Sequence, residues 1–308
     1  MVKLSGDLPS GYSRIGDDVA TIRVKGKKLV VKSDMLVDKT DVPTGMTWKQ
    51  AARKSVAMCI SDFAAKGVTP DSFLISLGLP PGTTKKEVVE LAKGFHDASL
   101  EWHLNLVGGD TNESDNLVID CTMIGFAAKI VPRDGAKPGQ IVVTSGYFGY
   151  SSAGLKILLE KAKAAPKFRS MALNSVLNPR PRLRLGLELA SVLSSSIDSS
   201  DGLAISLHAI AEMSRVGISI TRPPYRRDVE KFAESNGYRL GDLVLYGGEE
   251  YEIVGTLDEK SLPRARRVAK SLGEDLLVIG RTTDQKGMVE LEGKRRERIQ
   301  KKGWIHLS

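Results

Sequence analysis

Six aspartates constrain the fold of this chain more than any other feature of its sequence. Each lies in a short segment rich in glycine or serine, and together they span nearly two hundred residues. They are Asp18, Asp34, Asp62, Asp110, Asp198 and Asp201. Several follow apolar segments that have the pattern of strand ends, where a carboxylate buried without a partner would be strongly unfavourable. The sequence therefore predicts a fold that gathers these side chains around bound cations.

The kind of ligand in this group indicates which cation it binds. A set made only of oxygen ligands points to Mg²⁺. Mg²⁺ that is held by a few carboxylates and water molecules usually accompanies a phosphate substrate. The first functional hypothesis is therefore a nucleotide-dependent enzyme that transfers a phosphoryl group.

The length and composition indicate an ordinary globular protein with two domains. The chain has 308 residues, which exceeds the size at which a single hydrophobic core usually stops growing. It is 41% hydrophobic and 27% charged. No apolar run approaches the length of a transmembrane helix, and residues 1–7 lack the apolar stretch of a signal peptide. We therefore expect a cytoplasmic protein that does not associate with membranes.

The excess of basic residues does not by itself indicate a nucleic-acid partner. Lys and Arg number 45 against 37 Asp and Glu, which gives a net charge of +8. The densest basic run, residues 294–298, is interrupted by Glu297, and no nucleic-acid recognition motif accompanies it. Attraction of small anionic substrates explains the charge equally well, so we expect no nucleic-acid partner.

The spacing of apolar and turn-forming residues predicts two mixed α/β domains of similar size. The segment 135–139 is small, polar and turn-forming, and it places the boundary between an N-terminal domain, 1–137, and a C-terminal domain, 138–308. The predicted strands are 19–24, 28–32, 72–79, 104–107, 117–130, 141–144, 218–221, 250–257 and 276–279. The predicted helices are 47–66, 84–102, 153–163, 181–193, 203–215 and 262–272.

Common kinase motifs and a plausible catalytic histidine are absent from the sequence. Gly146-Tyr147-Phe148-Gly149 is not followed by the Lys-Ser/Thr of a P-loop, and protein-kinase motifs do not occur. None of the four histidines has a partner at catalytic or metal-ligand spacing. Cys59 and Cys121 lie in apolar segments, where a cysteine packs as a small hydrophobic residue. If the chain is a kinase, it belongs to neither common class.

Two of the aspartate-containing motifs also have an ordinary structural interpretation. Asp198-Ser199-Ser200-Asp201-Gly202 precedes a predicted helix, so Asp201 could be a helix N-cap, and a phosphate bound at the same helix end is compatible with both interpretations. Gly108 and Gly109 either let a ligand approach the backbone or form a turn. The residues alone leave these alternatives open.

Seven short segments occur in an order that is more specific than any one of them. They are Gly16-Asp17-Asp18-Val19-Ala20, Lys32-Ser33-Asp34, Ser61-Asp62-Phe63-Ala64-Ala65-Lys66-Gly67, Gly108-Gly109-Asp110-Thr111, Ser151-Ser152-Ala153-Gly154-Leu155, Ile197-Asp198-Ser199-Ser200-Asp201-Gly202-Leu203 and Gly247-Gly248-Glu249-Glu250-Tyr251-Glu252. In this order the chain resembles the thiamine-monophosphate kinase family, from Gly16 to Trp304. That family belongs to the superfamily of aminoimidazole ribonucleotide synthetase.

The resemblance implies a fold and a reaction. The fold is mixed α/β with two domains: strands of the N-terminal domain form a β-barrel across a homodimer, and the C-terminal domain closes over the nucleotide. The reaction is direct in-line transfer of the γ-phosphate of ATP to thiamine monophosphate, giving ADP and thiamine diphosphate. Because a phosphate nucleophile is already ionised near neutral pH, no catalytic base is required, and catalysis is expected to rest on positioning and charge neutralisation.

The resemblance also assigns roles to individual residues. The implied Mg²⁺ ligands, for several ions, are Asp18, Ser33, Asp34, Asp62, Asp110, Asp198 and Asp201. The residues implied to contact ATP are Gly109, Asp110, Arg133 and Ser200. Asp41, Glu249 and Trp304 are implied to contact the substrate, Asp41 at a position where some members have a histidine. The chain departs from the family at Lys32, where a hydroxyl residue is usual beside the metals, and at Tyr150, where an aspartate is common.

Two other functions remain open on the sequence. Aminoimidazole ribonucleotide synthetase is the nearest alternative enzyme. A non-catalytic nucleotide-binding protein on the same scaffold is the alternative from another class, although a binding module would not require so dense a group of metal ligands. A selenophosphate synthetase is disfavoured, because it would need a reactive cysteine before Cys59.

Overall fold

Two β-sheets, one from each half of the chain, organise the molecule. The structure, a computed structural model, describes residues 17–24, 27–293 and 296–304. The first sheet is built from β1 (Ala20–Val24), β2 (Lys27–Val37), β3 (Thr69–Leu79), β4 (Asn105–Glu113) and β5 (Val118–Ala127). The strand order is β1-β2-β5-β3-β4, in which β3 and β4 are parallel and the other pairs antiparallel. The first half is therefore a mixed sheet with β4 at one edge.

Two long helices cover one face of this sheet. These are α2 (Trp48–Lys66) and α3 (Lys85–Trp102), which follow the short α1 (Asp38–Asp41). Both begin with a capping box, in which Thr47 pairs with Gln50 and Thr84 with Glu87, and Gly67 ends α2 in the left-handed conformation. The opposite face of the sheet is open in the single chain, with Met35 and Phe126 exposed on it.

The second half contains a larger sheet that is covered on both faces. Its strands are β6 (Ile141–Thr144), β7 (Ser195–Asp198), β8 (Gly217–Ile220), β9 (Ile253–Leu257), β10 (Leu277–Thr283), β11 (Val289–Glu292) and β12 (Arg296–Arg298), in the order β12-β11-β8-β10-β6-β9-β7. Its helices are α4 (Tyr150–Leu159), α5 (Pro166–Leu177), α6 (Leu183–Leu189), α7 (Leu203–Ser214), α8 (Arg227–Asn236), α9 (Leu240–Leu245) and α10 (Leu262–Leu272). Along β6, Val142 packs into one core, whereas Ile141 and Val143 pack into a second core on the other face.

The helix α2 joins the two halves. A Cβ atom at Gly186 in α6 would lie 1.9 Å from the carbonyl oxygen of Ala64, so only glycine allows the two helices to come this close. At the end of α2, the ammonium of Lys66 donates to the carbonyl oxygen of Ser196 in β7 at 2.6 Å. The C-terminal turn of α2 is therefore fixed against the second half, which places Asp62 at the junction. In the part of the chain that the structure describes, no helix combines the length and apolar character needed to cross a bilayer.

Most predicted elements are confirmed, and the differences have local causes. Of the two alternatives left open at Gly108 and Gly109, the turn is excluded, because both residues continue β4, and a Cβ atom at Gly109 would lie 2.1 Å from the carbonyl oxygen of Ile75 in β3. The strand predicted from residue 250 begins only at Ile253, since Glu249 and Tyr251 have positive φ angles of 63° and 52°.

Several helices of the second half differ from the prediction. The helix predicted at 181–193 is shorter, Leu183–Leu189, and the one predicted at 153–163 begins earlier, at Tyr150. Asp201 does not cap the following helix: Gly202 is the N-cap residue, and no side chain makes a capping hydrogen bond there. Helices α5, α8 and α9 are present in segments where the sequence prediction gave no element.

Candidate active site

Three buried aspartates meet where the two halves join. Asp18 lies two residues before β1, Asp62 lies in the last turns of α2, and Asp198 ends β7. One carboxylate oxygen from each lies within 4.8 Å of the others. Their exposed fractions are only 4%, 5% and 6%. Three enclosed carboxylate oxygens at this separation fit a hard divalent cation such as Mg²⁺, whose preferred ligands are oxygens.

Burial makes this group electrostatically unfavourable without added positive charge. Burial raises the pKa of Asp62 well above its usual value, and the charge of Asp198 adds to this effect while Lys32 opposes it. Burial likewise raises the pKa of Asp198, although a hydrogen bond from Ser61 opposes the shift. The geometry therefore favours a bound cation, because such an ion would stabilise the ionised form of both carboxylates.

Lys32 links Asp34 to this group. Its ammonium lies 3.0 Å from Oδ1 of Asp34 and 2.8 Å from Oδ2 of Asp62. Burial alone would lower the pKa of Lys32, but the charges of Asp62 and Asp34 outweigh it and raise the pKa above its ordinary value. Lys32 is thus a fixed positive charge between two carboxylates.

The hydroxyl of Ser33 lies on the other face of the first sheet. Successive side chains of a strand alternate between faces, and Ser33 lies between Lys32 and Asp34 in β2. Its Oγ donates to both carboxylate oxygens of Asp120 at 2.9 Å and lies 2.9 Å from Oγ1 of Thr122. The structure therefore does not bring the Ser33 hydroxyl to the aspartate group, and its role as a ligand stays a prediction.

Two further cations contact Asp18. The ammonium of Lys66 lies 2.8 Å from Oδ2 of Asp18 and 2.7 Å from Oδ1 of Asp17, and burial lowers its pKa. The guanidinium of Arg133 forms an ion pair with Oδ1 of Asp18. Burial also lowers the pKa of Arg133, while the charges of Asp17, Asp198 and Asp201 oppose the shift. Arg133, predicted to contact the nucleotide, therefore lies at the edge of the aspartate group.

Two of the other residues predicted at the nucleotide are at the edge of the first sheet, whereas Ser200 lines the cleft described below. Gly109 and Asp110 lie in β4, where every residue is exposed, and Oδ1 of Asp110 accepts a hydrogen bond from the backbone of Thr111. Asp110 is not one of the three clustered aspartates. Its role as a metal and nucleotide ligand stays a prediction.

A cleft beside the aspartate group brings together five of the predicted residues. It has a volume of about 410 Å³ and is lined by Asp41, Ser200, Asp201, Glu249 and Trp304. Met58 and Leu155 contribute apolar walls. Backbone hydrogen bonds assemble this lining: Trp304 donates to the carbonyl oxygen of Asp201 at 3.1 Å, and Glu249 donates to that of Ser200 at 2.6 Å. The cleft therefore combines carboxylates, an indole and apolar surface, which suits a flat organic cation.

Lys54, a buried residue that contacts the lining of this cleft, was missed by the sequence analysis. It is fully buried in α2, where its ammonium donates to the carbonyl oxygen of Asp41 at 2.7 Å and pairs with Oε1 of Glu249. It thereby links two residues predicted to contact the substrate. Lys54, Asp62 and Lys66 are spaced by eight and four positions, which places them along one side of the helix. That polar stripe on a helix with otherwise apolar contacts is the signal that could have revealed it.

Glu250 occupies a second polar cleft, at the start of α4. One of its carboxylate oxygens accepts hydrogen bonds from the backbone nitrogens of Gly149 at 2.6 Å and Ser151 at 3.1 Å. Enclosure by the protein raises the pKa of Glu250 to about 8. Beside it, Arg182 pairs with the buried Glu252 at 2.6 Å. Tyr150, the position that departs from the family pattern, is a core residue whose hydroxyl donates to Asp228 at 2.8 Å.

The sequence matches a known domain family and curated proteins of one function. Residues 16–127 match the family described as AIR synthase related protein, N-terminal domain. The thiamine-monophosphate kinase of Nitrosopumilus maritimus is 39% identical over 291 residues, covering 94% of this chain and 93% of that protein. The thiamine-monophosphate kinase of Pyrococcus horikoshii is 35% identical and covers 95% of this chain and 91% of that protein.

Solved structures have the same architecture over nearly the whole chain. The structure of AaThiL complexed with AMPPCP and TMP has a TM-score of 0.85 at 28% identity, covering 95% of this chain and 92% of that one. The hydrogenase maturation protein HypE, at 17% identity and a TM-score of 0.75, covers 97% of this chain and 96% of its own and shares the fold. The agreement in sequence with curated relatives extends over nearly the whole chain, and the chain belongs to the thiamine-monophosphate kinase family.

Proposed function

We propose that this protein transfers the γ-phosphate of ATP to thiamine monophosphate, giving ADP and thiamine diphosphate. The observation that carries the proposal is the position of the three buried aspartates beside the cleft of Asp41, Glu249 and Trp304. Family membership over the length of the chain supports the same reaction. ATP and thiamine monophosphate together require a site for phosphate-bound cations next to a site for an aromatic cation.

Mg²⁺ is the proposed metal, and Asp18, Asp62 and Asp198 are its proposed core ligands. Their buried oxygen donors suit a hard cation, and no soft sulfur ligand accompanies them among the described residues. Mg²⁺ bound there would offset the negative charge of two phosphate groups that must approach each other. By resemblance, Ser33, Asp34, Asp110 and Asp201 are proposed to complete the ligand set for several ions.

The nucleotide is proposed to bind between the edge of the first sheet and the aspartate group. Gly109, Asp110, Arg133 and Ser200 are its proposed contacts, and the planar guanidinium of Arg133 can bind phosphate oxygens in a bidentate manner. The accepting phosphate of the substrate is already ionised, so no side chain has to remove a proton. The contribution of these residues is to hold two anions in line and to supply positive charge.

Thiamine monophosphate is proposed to occupy the 410 Å³ cleft. The carboxylate of Glu249 would lie beside the cationic ring system, and the indole of Trp304 would stack on it. The buried ammonium of Lys54 forms an ion pair with Glu249, which fixes the orientation of that carboxylate. Asp41 is the third proposed substrate contact, and its carboxylate is held by the backbone nitrogen of Val37 at 2.9 Å.

The assembly is proposed to be a homodimer in which strands of the first sheet form an intersubunit barrel. The open face and edge of that sheet expose apolar side chains: Met35 by 57%, Val107 by 58% and Phe126 by 45%. An exposed edge strand with apolar side chains, such as β4, is a template for pairing with another chain. The proposed domains are residues 1–137 and 138–308, and the proposed location is the cytoplasm.

A coupled assay of ADP release tests the function. ATP and Mg²⁺ would be supplied with thiamine monophosphate, with thiamine, or with formylglycinamidine ribonucleotide. We expect ADP release only with thiamine monophosphate, together with thiamine diphosphate as product. Release that depends only on the ribonucleotide would assign the protein to aminoimidazole ribonucleotide synthetase activity, and no stimulation by any of the three would indicate a binding protein.

A further inference from the structure

A lysine side chain lies where the aspartates of the active site could share a cation. The ammonium of Lys32 is in contact with Asp34 at 3.0 Å and Asp62 at 2.8 Å at the same time. Asp34 is not within the tight group formed by Asp18, Asp62 and Asp198, and it reaches that group through this ammonium. Lys32 therefore bridges two carboxylates, which is the geometric task of a bound ion.

The charges of Asp34 and Asp62 explain why a bridging cation is needed. Asp34 lies in β2 and Asp62 in α2, and the two carboxylates are neighbours. Asp62 also faces Asp198 within the group of three aspartates. Two carboxylates without a cation would carry a charge of about −2 into a largely enclosed space, which is strongly unfavourable. One divalent ion would balance that charge, and one ammonium balances half of it while donating hydrogen bonds to both oxygens.

The other fixed cations serve different members of the group. Lys66 contacts Asp17 and Asp18, and Arg133 pairs with Asp18. Neither forms an ion pair within contact distance of Asp34 among those the structure gives for the described residues. Lys32 therefore contacts both carboxylates of the Asp34–Asp62 side directly, while Lys66 acts on Asp62 only through its charge.

We propose that Lys32 takes the place of one divalent cation in this active site, so that the protein binds one metal ion fewer between Asp34 and Asp62 than the same carboxylates would bind without it. The inference deepens the proposed function, because it concerns how the phosphate-binding charges are supplied. An ammonium holds oxygens at 2.8–3.0 Å here, whereas Mg²⁺ holds them at about 2.0–2.1 Å. Lys32 is thus a positioning residue for both carboxylates, with a charge that is permanent.

Counting bound Mn²⁺ on the full-length protein tests this directly. Binding would be measured by equilibrium dialysis or by the electron paramagnetic resonance signal of free Mn²⁺, without nucleotide or thiamine monophosphate. We expect Lys32→Ser to bind one Mn²⁺ per chain more than the wild type does. Lys32→Arg, which keeps the positive charge, should bind the same number as the wild type. The melting temperature of Lys32→Ser should also rise more steeply with Mn²⁺ than that of the wild type.

A second variant tests the role of the Lys32 charge if Lys32→Ser folds poorly. Lys32→Met keeps much of the side-chain volume without the charge, and it should gain the same additional ion. An unchanged Mn²⁺ count in folded Lys32→Ser and Lys32→Met would overturn the proposal and leave Lys32 as an ordinary ion-pair residue. A gain in Lys32→Arg would overturn it as well, since charge would then not be the cause. Because the count involves neither substrate, its failure would leave the proposed kinase reaction to be judged by ADP release alone.

Discussion

The hydroxyl of Ser61 donates a hydrogen bond of 2.7 Å to Oδ2 of Asp198, a residue 137 positions further along the chain. Ser61 belongs to α2 of the first half, and Asp198 ends β7 of the second. Both side chains are buried. This bond orients Asp198 toward Asp18 and Asp62, so the metal group depends on the packing between the halves.

Removing this hydroxyl should weaken metal binding without unfolding the protein. Ser61→Ala leaves one oxygen of Asp198 without its donor, and loss of such an orienting partner typically costs about 10- to 100-fold in metal affinity. Titration with Mn²⁺ measures the effect. Ser55→Ala is a matched control, because Ser55 is equally buried in α2 but its hydroxyl donates only to the carbonyl oxygen of Ala52. Equal Mn²⁺ affinity in the two variants would contradict the orienting role.

Replacing the clustered carboxylates should abolish turnover but preserve the fold. Asp62→Asn and Asp198→Asn remove an anionic ligand, and we expect turnover to fall by orders of magnitude at saturating ATP, thiamine monophosphate and Mg²⁺. Because each change also relieves repulsion between buried carboxylates, the melting temperature without metal should not fall. The exposed Asp71→Asn serves as a control for the loss of one charge. Turnover like that of the wild type in either variant would refute its assignment as a ligand.

Loss of the Lys54 ammonium should affect substrate binding more than chemistry. Lys54→Met preserves most of the buried volume but leaves Glu249 without its partner, which costs about 1.5 kcal/mol or more for a charged hydrogen bond. We expect the KM for thiamine monophosphate to rise roughly tenfold or more, with a smaller change in the KM for ATP. Lys49 lies in the same helix as Lys54 and forms a surface ion pair with Asp97 of α3. Lys49→Met, which removes this pair, should leave both constants unchanged. A selective loss of ATP binding would show that Lys54 serves the nucleotide instead.

The half-buried Glu250 should make the protein less stable at alkaline pH. Its pKa in the folded protein is about 8, compared with an ordinary value of 4.5, so the folded state binds more protons than the unfolded state between these values. The free energy of unfolding contributed by this group is therefore fully present below about pH 4.5 and is lost as the pH rises through 8.

Glu250→Gln tests this linkage, because glutamine keeps a neutral acceptor for the backbone nitrogens of Gly149 and Ser151. The difference in melting temperature between Glu250→Gln and the wild type should shift in favour of the variant from pH 5 to pH 9. The exposed Glu188→Gln provides the same change in charge at the surface and should not show that trend. A difference that is constant with pH would argue against a raised pKa at Glu250.

A charge at the open edge of the first sheet should disrupt the proposed dimer. Val107 is 58% exposed in β4, and Val107→Asp would place a carboxylate in an apolar contact between two copies. Size-exclusion chromatography with light scattering should show a shift toward monomer. Leu100→Asp is the control, since Leu100 is similarly exposed but lies on α3, which covers the opposite face. A dimer that withstands Val107→Asp would place the interface elsewhere.

Much of the fold could be predicted from the sequence because its signals are local. The helices predicted at 47–66 and 84–102 depend on neighbouring residues, such as those of the capping boxes at Thr47 and Thr84, and the structure has both helices where predicted. The continuation of β4 through Gly108 and Gly109 could not be predicted in this way. Two glycines are typical of a turn, and only the close approach of β3 at Ile75 explains why they lie in a strand.

In the candidate site, too, some features follow from the sequence and others require the tertiary structure. The sequence by itself determined the family, through the order of its motifs, and it predicted the chemistry of oxygen ligands and no catalytic base. Only the tertiary structure decided that Asp18, Asp62 and Asp198 meet, while the hydroxyl of Ser33 lies on the opposite face of its strand. It also decided that Lys32, Lys54 and Lys66 supply the fixed charges at this junction. These pairings depend on how α2 packs between the two sheets, because the contacts join side chains that are distant in sequence and that only this packing encloses together.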